Sequence, residues 1–347
     1  MIETNLDLVL VLLGFALVAA VCFRLASMPL LIGYLFVGII LGPSLFDLIK
    51  EKTGGAHLAE FGIVFLMFSI GLEFNLSKLI LEGPKDELDL TANTQPAIFL
   101  ISYSIFQVVK EDFNINLNEA KYFAGHSLGE YSALSCAGYL NFSETIKILR
   151  TRGDAMQNSV PKGEGGMLAV LGSKIEDVEK ILKDNQNNFE AQVANDNSDG
   201  QIVISGKTKD LQILSEFLKQ KKIKNIKLPV SAPFHCKLMN DASVIMKKNL
   251  DEIDLKELKS KFISNVTANF EDDPLFIKKL LVKQVYSRVK WRESVIKSTS
   301  KSNFIVEIGS GKILTGMNKR INKKYESLSV SNLEQIDTFF DRLKEII

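Results

Sequence analysis

Ala124-Gly125-His126-Ser127-Leu128-Gly129-Glu130-Tyr131 is the stretch from which the rest of the chain is read. The run Tyr122 to Ala124 ahead of it reads as the end of a β-strand, and Glu130 to Leu140 behind it reads as a helix. Gly-x-Ser-x-Gly between a strand and a helix is the pattern of a nucleophile elbow, a turn tight enough to need residues without bulk around its centre. Gly125 and Gly129 fill those places. The turn aims the Ser127 hydroxyl outward at a helix N-terminus. There the first amides, beginning at Leu128, lack an intrahelical partner and can face an oxyanion. A glycine turn with a serine cap and no chemistry is the plainer alternative for a motif this short. The strand and helix on either side favour the reactive reading.

A serine nucleophile needs a base within hydrogen-bond reach. The 347 residues hold three histidines: His57, His126 and His235. His57 lies in a very apolar segment. His126 adjoins Ser127, and neighbouring side chains on such a turn diverge. His235 remains, in the turn-rich loop Val230-Ser231-Ala232-Pro233-Phe234-His235-Cys236. A lone histidine is more often a satisfied polar residue, and only this elimination lifts His235 above that reading. The cysteines Cys22, Cys136 and Cys236 are far apart, so neither a metal site nor a disulfide framework is expected. No cofactor is implied. Lys+Arg of 42 against Asp+Glu of 41 leaves a net charge of +1, with no nucleic-acid footprint.

Outward from the elbow, apolar residues at helical spacing predict a core helix over Ile98 to Val109. A second helix is expected over Ser143 to Met156, with Ser143 as its N-cap. Residues 161–229 read as a unit of their own. Strands are expected at Met167 to Leu171, Gln192 to Ala194, Gln201 to Ile204 and Ile223 to Leu228. Helices are expected from a Ser173 cap to Leu182 and over Asp210 to Lys219. The order βαββαβ is that of a ferredoxin-like subdomain. Phe304 to Ile308 reads as a strand and Ile313 to Ile321 as a helix. Alternating strands and helices predict an α/β fold with a mainly parallel sheet. Its core spans residues 76–160 and 230–347.

Residues 1–75 are of another kind. Leu8 to Phe23, Pro29 to Leu41 and Leu58 to Leu72 are three apolar stretches that read as two or three transmembrane-type helices. A signal peptide is the alternative for the first, and buried core helices for the others. With three spans, Arg24 and Lys78 share a side. The positive-inside tendency makes that side, and everything after residue 80, cytoplasmic, with the N-terminal segment expected to serve as an inner-membrane anchor. Met28-Pro29-Leu30-Leu31-Ile32-Gly33-Tyr34-Leu35, Gly38-Ile39-Ile40-Leu41-Gly42-Pro43, Ala59-Glu60-Phe61-Gly62 and Ile70-Gly71-Leu72-Glu73 resemble the opening of a potassium-efflux-type monovalent cation:proton antiporter. The soluble character of residues 76–347 does not support transport.

From about residue 75 onward a second resemblance is carried by several motifs in order. These are Gln95-Pro96-Ala97, Gly125 to Tyr131, Arg152-Gly153 with Met156-Gln157, Pro233-Phe234-His235-Cys236, Gln284 with Trp291, and Glu307-Ile308-Gly309-Ser310-Gly311-Lys312. Together they resemble malonyl-CoA:acyl-carrier-protein transacylases, α/β-hydrolase-like acyltransferases. The resemblance implies malonyl-CoA and acyl carrier protein as partners. It implies Ser127 as the acyl-carrying nucleophile, His235 as its base and Leu128 as an oxyanion donor. Arg152 would hold the malonyl carboxylate, a task that suits a guanidinium fork. The Gln284 carbonyl would orient His235, Gln95 would line the pocket with His126 beside the nucleophile, and Phe234 would disfavour an α-methyl group. The chain departs from the family in one respect. The strand and Gly-Gln-Gly-Ser-Gln loop that open such enzymes are missing, and the antiporter-like sequence stands in their place. That removes a core strand and one wall of the site. An ester hydrolase on a membrane anchor, and an inactive fusion of two fragments, are the alternatives.

Overall fold

The computed structural model describes residues 76–346 apart from residues 114, 116, 118, 119, 231, 257–259 and 303, together with Gly14, Phe15 and Val18. Those three positions aside, the apolar stretches of residues 1–75 lie outside the described residues. Among the described residues no helix is long and apolar enough to cross a membrane.

The described chain opens with three helices, α1 (Leu76–Glu82), α2 (Lys85–Leu88) and α3 (Thr91–Glu111). Helix α3 starts earlier than its apolar run suggested. It buries Ala92, Gln95, Phe99, Phe106 and Val109, an i, i+3, i+4 series on one face. Strand β1 (Tyr122–Ala124) leads through the elbow into α4 (Gly129–Ala137). That helix stops short of Leu140 because Gly138 takes a left-handed C-cap. In α5 (Phe142–Asn158) the N-cap is Asn141, not Ser143. Its side chain accepts from Glu144 N at 2.8 Å, leaving Ser143 inside the first turn.

The inserted unit comprises β2 (Gly165–Leu171), α6 (Ile175–Asp184), β3 (Ala191–Ser198), β4 (Gln201–Lys207), α7 (Thr208–Gln220) and β5 (Lys224–Lys227). Its strands run in the order β3-β4-β2-β5, all antiparallel, which is ferredoxin-like topology. Ser173 does not cap α6; Lys174 holds that position without a side-chain bond. Alternation along the strands explains the packing. Leu168, Val170, Ile202 and Ile204 face Val178, Leu211, Leu214 and Leu218 of the helices. Met167, Ala169 and Val203 point the other way and are covered by Leu228, Val230 and Phe234.

The chain continues through α8 (Asn240–Asp251), β6 (Lys261–Ile263), β7 (Phe270–Glu271), α9 (Pro274–Gln284), α10 (Trp291–Thr299), β8 (Phe304–Ile308), α11 (Ile313–Ile321), β9 (Glu326–Val330) and α12 (Leu333–Ile346). Parallel pairing is present, but in two pieces rather than one mainly parallel sheet. One has the order β1-β6-β7, with β1 and β6 parallel and β7 antiparallel; the other is the parallel pair β8-β9. Among the described residues no strand joins β1 to β8, so each ladder ends there. The two edges still belong to one core. Phe123 of β1 and Phe304, Val306 and Ile308 of β8 pack on the same cluster, built around Phe106, Val109, Val330 and Phe339. Lys121 Nζ, just before β1, donates to Lys301 O, just before β8, at 2.7 Å.

The two glycines of the elbow are not equivalent. A Cβ at Gly125 would fall 1.9 Å from Gly129 O, so a side chain there collides with backbone. A Cβ at Gly129 would meet nothing within 4 Å. Only Gly125 is demanded by lack of room, which corrects the symmetrical role read from the sequence.

Candidate active site

Ser127 sits at φ 55, a left-handed conformation that costs a residue with a side chain roughly 1–3 kcal/mol. The local hydrogen bonds hold it there. Gly129 N–H donates to His126 O at 2.9 Å, Glu130 N–H to Ser127 O at 3.0 Å and Tyr131 N–H to Leu128 O at 3.0 Å. The Leu128 N–H makes no hydrogen bond among the described residues, so it is free to meet an oxyanion. Asn265, two residues past β6, braces the turn from the neighbouring strand. Its Oδ1 accepts from Ser127 N at 2.8 Å and its Nδ2 donates to Gly125 O at 2.7 Å.

His235 reaches the elbow from the loop after the inserted unit, also at a positive φ, 60. Its Nε2 lies 2.7 Å from Ser127 Oγ, and its Nδ1 lies 2.9 Å from the backbone oxygen of Gln284 at the end of α9. A carbonyl can only accept, so Nδ1 carries the proton and Nε2 offers a lone pair to the serine. Burial, and secondarily the Arg152 cation, bring the imidazole down to about 3 from the usual 6.5. The base is therefore neutral across the physiological range.

Arg152 comes from α5 and is only 1% exposed. Its Nη1 donates to Gln95 Oε1 at 2.6 Å, and its Nη2 to Gln284 Oε1 at 2.7 Å and to Ser127 Oγ at 3.2 Å. The guanidinium lies 5.6 Å from the centre of the Tyr131 ring. Nε has no partner, and no carboxylate lies within ion-pair range of this cation among the described residues. Glu130 acts on this cation only through space, so a buried guanidinium without a hydrogen-bonded carboxylate carries a desolvation cost that makes it a receptor for an incoming anion.

The structure thus brings Ser127, His235, Arg152, Gln95, Gln284 and the Leu128 amide together. His126 and Phe234 stand apart from this cluster. The His126 ring turns away from the hydroxyl, with Nε2 2.8 Å from Asn197 Oδ1 of the inserted unit and the ring 5.8 Å from that of Trp291. Phe234 packs on the Met167, Ala169 and Val203 face of the small sheet, and its carbonyl accepts from Ser205 Oγ at 2.6 Å. Two participants escaped the sequence reading, Asn265 and Glu130. The signal for Asn265 was a polar residue just beyond the carboxyl end of a parallel strand, where sites of α/β sheets gather. Glu130 was hidden because an acid in the first turn of a helix is usually a solvated partner of the helix dipole.

The chemistry available is acyl transfer through a covalent ester on a serine, with a neutral histidine moving the proton and a cation for a substrate bearing a free acid. His235 also sets a pH dependence. Its folded value, about 3, is below the unfolded 6.5, so the unfolded chain binds more protons between them. The stability it contributes is full above 6.5 and is lost as pH falls through that window, by up to about 1.4 kcal/mol per pH unit. Burial pushes the Glu130 carboxyl up to about 8, and that contribution runs the opposite way. Denaturation series between about pH 7.5 and 5 on the wild type and His235→Gln isolate the histidine. The variant should lose less stability on acidification, and equal slopes would contradict the burial of a neutral imidazole.

Residues 67–333 match the family model described as an acyl transferase domain, and residues 10–109 match that of a sodium/hydrogen exchanger, transmembrane. The malonyl CoA-acyl carrier protein transacylase of Bacillus subtilis is 40% identical over 282 residues, covering 79% of this chain and 86% of the relative. The solved acyl-carrier-protein-S-malonyltransferase of Bartonella henselae matches with a TM-score of 0.78 and 41% identity, over 83% of this chain and 93% of that one. A malonyl-transacylase solved in complex with its type II PKS acyl-carrier protein matches with a TM-score of 0.76 and 32% identity, over 82% and 93%. Fold and sequence agree over most of the length, and the chain belongs to the malonyl-CoA:acyl-carrier-protein transacylase family.

Proposed function

We propose that this chain moves a malonyl group from malonyl-CoA to the phosphopantetheine thiol of acyl carrier protein, a step of fatty acid biosynthesis. One observation carries the reading. A buried guanidinium with no carboxylate partner lies 3.2 Å from a hydroxyl that is itself 2.7 Å from a neutral imidazole. In the first half-reaction Ser127 Oγ passes its proton to His235 Nε2 and attacks the thioester carbonyl. The oxyanion faces the Leu128 N–H, the C–S bond breaks, and the departing CoA thiolate takes the proton from Nε2. In the second, the carrier-protein thiol gives its proton to His235 and attacks the malonyl ester. The C–O bond breaks and Ser127 recovers its hydrogen. Arg152, aimed by Gln95 and Gln284, holds the free carboxylate through both. Support for the partners comes from the relatives, whose names state this donor and acceptor.

The missing Gly-Gln-Gly-Ser-Gln loop sets the expected rate. An oxyanion hole short of one donor runs on the order of a hundredfold to a thousandfold more slowly, so turnover below that of the relatives belongs to the proposal. An esterase is less well served by this site: the histidine is oriented by a carbonyl rather than a carboxylate, and an anion receptor stands beside the nucleophile. The test is incubation with malonyl-CoA labelled in the malonyl group, followed by peptide mapping. Label on Ser127 that a carrier protein discharges supports the reading; a folded sample with no label refutes it.

The same proposal places the catalytic part in the cytoplasm, held at the inner membrane by residues 1–75. The apolar stretches and the exchanger match support it. Flotation with lipid vesicles should carry the full chain upward and leave a chain lacking residues 1–75 at the bottom; equal behaviour of the two would refute the anchor.

A further inference from the structure

Glu130 is fully buried in the first turn of α4, three residues after the nucleophile. Its Oε1 accepts from the backbone N–H of Asn265, and its Oε2 from Gln284 Nε2 at 2.6 Å. Both partners are already committed to the site. Asn265 clamps the elbow on either side of His126 through Ser127 N and Gly125 O. Gln284 supports His235 by its carbonyl, reaches Ser127 O at 2.7 Å by the same Nε2, and turns its Oε1 to Arg152. The orientation of both amides is forced. Ser127 O and Gly125 O can only accept, so Gln284 must present Nε2 and Asn265 must present Nδ2 at those contacts. Glu130 therefore faces two donors. Against the burial that raises it to about 8, these bonds and the Arg152 cation favour its ionised form, and in that form each oxygen accepts.

We propose that Glu130 is a positioning residue for acyl transfer, one carboxyl group that sets the distance between the Ser127 turn and the segment that supports His235. It touches neither the hydroxyl nor the imidazole. It acts by holding Asn265, which fixes the nucleophile's backbone, and Gln284, which fixes the base. The inference rests on the acyl-transfer reading for its meaning, but its geometry requires only a serine activated by a histidine.

Glu130→Gln is the informative change. The amide has one acceptor and one donor, so an NH2 must confront an N–H at Asn265 or Gln284. The readout is the second-order rate at which a fluorophosphonate labels Ser127, measured per folded molecule beside malonyl transfer. Glu130→Gln should label about 30-fold more slowly or worse, with kcat falling in parallel and KM for malonyl-CoA changing less than about threefold. A residue that only stabilised the fold would lower the unfolding midpoint and leave the labelling rate unchanged, and that outcome overturns the proposal. Glu130→Asp covers the case in which the glutamine variant does not fold. It keeps two acceptors but is one carbon shorter, and should label several-fold more slowly; wild-type labelling in a folded Glu130→Asp protein also overturns the proposal. If the wild type reacts with fluorophosphonate yet moves no malonyl group, the transacylase reading fails while the test of Glu130 stands.

Discussion

Ser127→Ala leaves no malonyl group on the protein and reduces transfer to the level set by binding alone. The methyl group cannot form the ester, and no described side chain within reach can replace it: the atoms nearest the hydroxyl are His235 Nε2 and Arg152 Nη2. In a serine protease, loss of the nucleophile costs on the order of a millionfold in kcat. A similar collapse is expected here, with folding intact, because alanine fits wherever the serine Cβ fits. The φ of 55 is retained by the Asn265 clamp on Ser127 N and Gly125 O. Mass spectrometry of intact protein after malonyl-CoA treatment reads the result directly. An adduct of malonyl mass on the alanine variant would place the covalent intermediate elsewhere and remove the basis of the mechanism.

Arg152→Ala comes next in size, and its effect is selective. Charge-assisted hydrogen bonds to a carboxylate contribute about 1.5–3 kcal/mol each. A bidentate pair then supplies about 3–6 kcal/mol, or two to four powers of ten in kcat/KM for malonyl-CoA. Acetyl-CoA has no carboxylate to lose, so its use should change far less and the malonyl:acetyl ratio should invert or approach one. The substitution also strands Gln95 Oε1 and Gln284 Oε1. Arg152→Lys, which keeps the charge but not the fork, is the control and should recover only part of the malonyl rate. Equal losses for both thioesters would mean that the arginine supports the fold of the site rather than the acid of the substrate.

The elbow, the lone usable histidine and the inserted unit were legible in the sequence for physical reasons. Gly125 marks a contact that only backbone can make, elimination among three histidines needs no coordinates, and the short unbroken apolar run Met167 to Leu171 has the length of a strand buried on both faces. The ends of elements were less legible. Asn141 and Ser143 are both good caps, and nothing local decides between them. The division of the main sheet lay beyond any local pattern, because β1 and β8 are equally apolar whether or not a strand lies between them. Glu130 and Asn265 were missed because their meaning comes from groups more than a hundred residues away, which makes an interior acid look like an ordinary first-turn charge.

Gln284 serves several groups at once: a carbonyl on the histidine, an amide nitrogen on the serine's backbone and on Glu130, an amide oxygen on the arginine. Grip on the acid and readiness of the base are therefore not independent variables. Penalties from altering them separately should fail to sum in a double-mutant cycle. Directed evolution toward a different acyl group would have to renegotiate turnover and selectivity at the same position.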